Sequence, residues 1–332
     1  MPRVSRRVKA LAHLEMTRPY TMFHAGLVAV AGAELASGGQ GAPWRVALAG
    51  VVTICGWEAG LYAGDYYDRE LDAQSKPFRP VPSGRVSPRE AFLTMVGLIL
   101  SGYVCALALG PGNLALAILT TVLGISYSKT FKAKALLGNF DRGVLGVCAA
   151  LFGSLAVGTP AHGTVLLLLV VVFLHDSASN LVGTIRDVDG DRAAGCATVP
   201  VVYGVPRAAA ISAGLALGGA LAGIGLMVAL APGPLAWTLF VGALVLDASV
   251  YLGLVSERSV LNRARALRAH KYLVVERLLL FNGFIAVYAP SSVSLILLAG
   301  TLSASVGAQV LLRDRHERQP LHGSTTHGLV QG

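Results

Sequence analysis

Long apolar blocks, rather than alternation, dominate the chain. They fall at roughly 20 to 37, 44 to 64, 90 to 109, 113 to 127, 143 to 158, 164 to 185, 207 to 230, 234 to 254, 272 to 289 and 291 to 312. A helix of about 17 to 25 apolar residues crosses about 30 Å of hydrocarbon, so each block reads as a membrane span. The short alternating segments of a closed β-barrel do not occur in the sequence. Turn-like, almost uncharged links at 38–43, 111–113, 159–163 and 231–233 alternate with longer, charged connections. The pattern predicts an all-α, polytopic transmembrane helical bundle of nine to ten spans over residues 20–312. A basic arm precedes it at 1–19, and a polar tail expected to be disordered follows at 313–332.

Composition agrees with the bilayer reading. The chain is 54% hydrophobic and 14% charged, with a mean hydropathy of +0.62, which excludes an ordinary soluble domain of 332 residues. Lys and Arg test the threading, because positive residues near spans are retained in the cytoplasm. Of the 27, 26 lie in the N-terminal arm, the tail and alternate connections, leaving Arg45 on the other face. Both termini are therefore expected in the cytoplasm, with the protein integral to the cell membrane. The net charge of +9 follows from that distribution and needs no nucleic-acid partner. The N-terminus lacks a small-residue cleavage site and reads as uncleaved. Four scattered cysteines support neither a disulfide framework nor a zinc site.

Chemistry concentrates at the ends of two spans. Asp65, Asp68 and Asp72 are spaced i, i+3, i+7 and share one helical face. Asp187 and Asp191 repeat the pattern at i, i+4 after a later span, with Asp189 between them on another face. Carboxylates crowded on one stripe repel one another, and an oxygen-only ligand set suits Mg²⁺. A diphosphate is polyanionic, so carboxylates grip it through bridging metal. Lys129, Lys132 and Lys134 fall in a loop on the same predicted face and can meet phosphate oxygens directly. The segment 73–89, rich in Pro, reads as a lid bringing Arg79 or Arg85 to the site. Glu58 and Asp176 lie below the two motifs inside the apolar zone, where acids usually face a cavity or a partner. Each is a candidate for orienting or deprotonating a second substrate.

The strings DYYDRELDAQSKPFRPVPSGRVSPREA and RDVDGDRAAGCATVPVVYG resemble the two Asp-rich motifs of UbiA-type intramembrane prenyltransferases. Arg18-Pro19 and the stretch Tyr127 to Asn139 are similar to further landmarks of that family, and the resemblance covers roughly residues 15–290. It implies a helical bundle around a central cavity with cytoplasmic cap loops, and Mg²⁺-dependent prenyl transfer from an isoprenoid diphosphate to a lipophilic, aromatic-type acceptor. By position it makes Asp68, Asp72, Asp187 and Asp191 the metal and diphosphate carboxylates, with Asp65 in support. Lys132 falls at the diphosphate-contacting lysine, and Asn180 and Tyr127 fall where residues line the cavity. Gly64 departs from the pattern, standing where the family has the Asn that opens its first motif. The same motifs would serve a terpene cyclase of the superfamily. A multi-span transporter fits less well, because the acids gather at one face instead of the midplane.

Overall fold

The computed structural model describes residues 5–158, 162–313 and 317. Residues 159–161 of the turn read at 159–163, residues 1–4 of the arm and the tail beyond 313, Glu317 apart, lie outside the described residues.

The basic arm folds as helix α1 (Arg6–Met16), started by Ser5, whose side chain accepts from the Val8 N–H. Its Ala12, Glu15 and Met16 are buried, against a cluster with Tyr62, Val81 and Met95. The first long helices are α2 (Phe23–Ser37) and α3 (Pro43–Tyr67), followed by a short α4 (Arg69–Ser75). Next come α5 (Pro88–Leu109) and α6 (Pro111–Ser126), which runs into a π-helical turn at Tyr127–Phe131. Helices α7 (Ala135–Ala156) and α8 (Gly163–Arg186) precede two short ones, α9 (Val188–Ala193) and α10 (Val199–Tyr203). The chain closes with α11 (Val205–Leu230), α12 (Pro234–Ser256), α13 (Arg263–Ile285) and α14 (Ser291–Ala308).

Proline in the first turn of α3, α5, α6, α11 and α12 marks where each helix begins, since a missing N–H costs nothing there. Ser87 and Glu90 add a reciprocal capping box at the start of α5. Ten helices thus match the ten apolar blocks, and among the described residues eight are long and apolar enough to cross a membrane. The other two are α2, which is short, and α13, whose first turns carry Arg263, Arg265, Arg268 and Lys271. Those charges hid nine residues of α13 from the hydropathy pattern; likewise α7 begins at Ala135 instead of 143.

Helices α2, α7, α8, α11, α12 and α13 share one core, centred on Phe240, Phe281, Phe284, Leu226 and Met227. Small residues let α2 and α7 approach closely: a methyl group added at Gly153 would run into the Ala29 carbonyl oxygen, and one at Gly32 into that of Ala150. Outward-facing Val104, Leu252, Ile296 and Val310 are each at least 70% exposed. An apolar exterior of this kind, on helices of spanning length, marks an integral membrane protein.

The links 68–87, 127–134, 187–204 and 257–262 gather with α1 at one end, hereafter the cap end. Among the described residues the only strand-like pairing is a bridge there between Lys134 and Ala197. Ala135 donates to the Ala197 carbonyl at 2.6 Å, and Ala197 donates to Ala133 at 2.9 Å.

Candidate active site

Both Asp-rich motifs are built to one local plan. In each, a long spanning helix ends on an aspartate, Asp68 after α3 and Asp187 after α8, and a short helix starts from that same residue. The second aspartate follows four residues later, with the Asp72 N–H donating to the Asp68 carbonyl at 2.8 Å and the Asp191 N–H to that of Asp187 at 2.9 Å. The helical spacing read from sequence is thus kept across the junction, and each pair of carboxylates stays on one side.

The four carboxylates line the mouth of a cavity of about 510 Å³ that descends between α2, α3, α5, α6, α7 and α8. Basic side chains knit them together. Lys132 Nζ is 2.5 Å from Asp68, Arg79 is 2.8 Å from Asp72, and Arg186 is 2.6 Å from Asp187. Lys76, just past α4, stands 3.7 Å from Asp187 and so connects the first motif's segment to the second motif. Asp191 accepts from the Thr198 hydroxyl at 3.1 Å.

These charges tune one another. Burial alone would raise Asp187, but Arg186 and Lys76 hold its carboxyl well below the usual range. Asp191 has fewer cations to offset its burial and lies near the Asp187 charge, so it is pushed up to about 6. Burial would lower Lys132, yet Asp68 keeps it firmly protonated, and Asp72 and Asp65 do the same for Arg79. Lys76 is lowered by burial despite Asp187.

Of the residues singled out in the sequence, Asp65, Asp68, Asp72, Arg79, Tyr127, Lys132, Asp176, Asn180, Asp187 and Asp191 all line this cavity. Asp65 is buried and ion-paired with Arg18, with Arg79 3.9 Å away. Asn180 donates to the Tyr127 hydroxyl at 3.5 Å and faces the Asn139 amide at 2.9 Å. Asp176 accepts from His24 at 2.9 Å and has Arg277 at 3.6 Å, so its charge is already balanced.

Three expectations are corrected. Arg85 does not reach the site; it clamps Glu15 at 2.6 Å and the Phe78 carbonyl at 2.6 Å, tying the 76–87 segment to α1. Lys129 turns away to lie 4.8 Å over the Tyr67 ring, because the π-helical turn rotates it off the lining face. Glu58 is buried outside the cavity lining with neither oxygen hydrogen-bonded. Conversely, Arg18, Lys76, Arg186 and Thr198 take part in the charge network although the sequence reading gave them no site role. Thr198 sat inside a quoted motif, and Lys76 in the segment read as a lid. Arg18 needed the left-handed backbone at φ 42° that aims it back toward α3.

A spanning-helix bundle with two acidic junctions facing each other across the mouth of a mostly apolar cavity defines a polytopic membrane enzyme of diphosphate-ester chemistry. More narrowly, the chain belongs to the UbiA prenyltransferase family, whose model matches residues 25–274, and it is a prenyltransferase. The chain is 35% identical over 208 residues to the digeranylgeranylglyceryl phosphate synthase of Natronomonas pharaonis, covering 63% of this chain and 74% of the relative. It is 37% identical over 193 residues to the enzyme of that name from Methanopyrus kandleri, covering 58% and 70%. Among solved structures, the apo UbiA homolog from Aeropyrum pernix superimposes with a TM-score of 0.68 at 19% identity, over 80% of this chain and 96% of that one. The Archaeoglobus fulgidus UbiA homolog bound to GPP and Mg²⁺ gives 0.59 at 14% identity, over 90% and 100%. At these identities the structures speak for the fold.

Proposed function

We propose that the enzyme transfers a prenyl group from an allylic isoprenoid diphosphate to a lipophilic acceptor in an Mg²⁺-dependent reaction, with the cap end facing the cytoplasm of the cell membrane. The observation that carries this reading is the matched pair of aspartate junctions at the cavity mouth, linked by Lys76 and Asp187 at 3.7 Å. The donor set fits the metal: Asp68, Asp72, Asp187 and Asp191 offer hard oxygen ligands from two facing elements. Bound Mg²⁺ would neutralise the diphosphate and the charge that grows on it as it departs.

The chain's own groups do the rest. Lys132, Arg79, Lys76 and Arg186 now pair with the carboxylates that would ligate metal, and their cationic ends are within reach of phosphate oxygens at the same mouth. The apolar cavity below holds the prenyl tail and keeps water from the allylic carbon. The C1–O bond breaks with its electron pair going to diphosphate, a nucleophilic atom of the acceptor bonds to C1, and the acceptor's proton leaves. The names of the relatives favour a prenylated glycerol phosphate over an aromatic acceptor.

The test is diphosphate release by purified protein in nanodiscs, supplied with allylic diphosphates, Mg²⁺ and acceptor. Asp68→Ala and Asp187→Ala are each expected to lower the rate by at least about a hundredfold while leaving a monodisperse, folded protein. Full activity in either variant would sink the assignment.

A further inference from the structure

Eight Lys or Arg side chains line the cavity, and seven of them lie within 3.7 Å of a carboxylate, from Lys132 on Asp68 to Arg277 on Asp176. The eighth, Arg142 on α7, has no ion pair among the described residues. Its chain neighbour Asp141 is not part of the lining. What holds Arg142 in place is aromatic: its guanidinium sits 4.4 Å from the centroid of Trp57 and 5.9 Å from that of Tyr127. Stacking fixes a guanidinium while leaving its N–H edges free. The Trp57 indole N–H is also buried without an acceptor, and the Tyr127 hydroxyl, which accepts from Asn180, keeps its own proton to donate. Donors therefore outnumber acceptors on this wall.

Trp57 and the Tyr127 hydroxyl stand below the acidic mouth, although the Tyr127 backbone adjoins the Lys132 loop, its carbonyl accepting from the Lys132 N–H at 3.0 Å. Trp57 precedes Asp68 by eleven residues along α3, a drop of about 16 Å, and Asn180 precedes Asp187 by seven along α8, a drop of about 10 Å. A cation here, which feels its neighbour Asp141 but makes no ion pair within 4 Å among the described residues, would also work against an allylic cation forming in the same cavity, unless a second substrate brings an anion with it. Resting on the proposed prenyl transfer, we infer that Arg142, stacked on Trp57 and Tyr127, is the anchor for an acidic headgroup of the acceptor, a phosphate or carboxylate. It thereby selects anionic acceptors over neutral ones. The acid lies against the guanidinium edge with the indole and phenol as further donors, and its nucleophilic atom is directed up toward the prenyl C1.

Donor and acceptor binding are measured separately to test this. Wild type, Arg142→Gln and Arg142→Lys in nanodiscs are titrated with geranylgeranylglyceryl phosphate and its dephosphorylated alcohol, and with 4-hydroxybenzoate and its methyl ester. In parallel, Mg²⁺-dependent binding of geranylgeranyl diphosphate is followed. The expected result is an Arg142→Gln loss of at least about tenfold in affinity for one of the two acids, with the neutral counterpart and the donor unchanged and Arg142→Lys intermediate. Whichever acid responds identifies the headgroup source. Equal affinity of wild type and Arg142→Gln for both acids, no binding of either acid by wild type, or a loss confined to the diphosphate overturns the inference. Failure of the wild type to bind the diphosphate would instead overturn the proposed transfer itself, so the two failures are distinguishable.

Discussion

Thr198 contributes the hydroxyl that steadies Asp191, the one motif carboxylate without a basic partner within ion-pair distance among the described residues. Thr198→Val keeps the shape and removes that hydrogen bond. It is expected to raise the Mg²⁺ concentration for half-maximal diphosphate release by about tenfold, the usual scale for a group that orients a metal ligand. Gly64 poses the converse question. A side chain added there meets nothing within 4 Å and would enter the cavity lining, so Gly64→Asn should leave thermal stability within about 0.5 kcal/mol of wild type. By adding an oxygen ligand it should also lower the Mg²⁺ requirement, readable in the same titration. At this scale the sequence disclosed the aspartates, because a helix fixes where i, i+4 and i+7 side chains point. It did not disclose the partners of long cations such as Arg85 and Lys129, whose tips travel several ångströms on flexible stems and settle only against the folded cap.

Among the elements, the tightest restriction falls on the crossing of α2 and α7. Gly153→Ala would drive a methyl into the Ala29 carbonyl, so the helices must part. The variant is expected to lose about 2 kcal/mol, measured as a lowered unfolding midpoint in detergent. Apolar block length was enough to read ten helices, since hydrocarbon thickness sets that length directly. It could not find α4, α9 and α10, which are too short to bury a face by themselves and take their shape from the site they frame. Nor could it find the charged first turns of α13, which continue a membrane helix beyond its apolar part.

For the whole molecule, every long charged connection collects at the cap end, and the opposite end has turns such as 38–42 and 231–233. The basic bias of those connections is the ground for proposing that the cap faces the cytoplasm. In cells, a cysteine introduced at Arg192, exposed on α9, should react with an impermeant maleimide only after permeabilisation. One introduced at Gln40 should react in intact cells. The reverse labelling would invert the topology. The general plan, a bundle with acids at one face, was legible because lipid forbids most alternatives. Of the cavity's polar wall only Tyr127 was, because Arg142 and Trp57 come from separate segments with no shared sequence pattern.

The bridge that joins Ala133 and Ala135 to Ala197 ties the loop of Lys132 to the loop that carries Thr198. With Lys132 and the second motif stitched along one margin, the mouth cannot gape evenly. The opposite margin is the 76–87 segment, which Arg85 and Glu15 tie to α1 and Lys76 ties to Asp187. Breaking the Arg85–Glu15 clasp should therefore be felt at the mouth although neither residue lines the cavity.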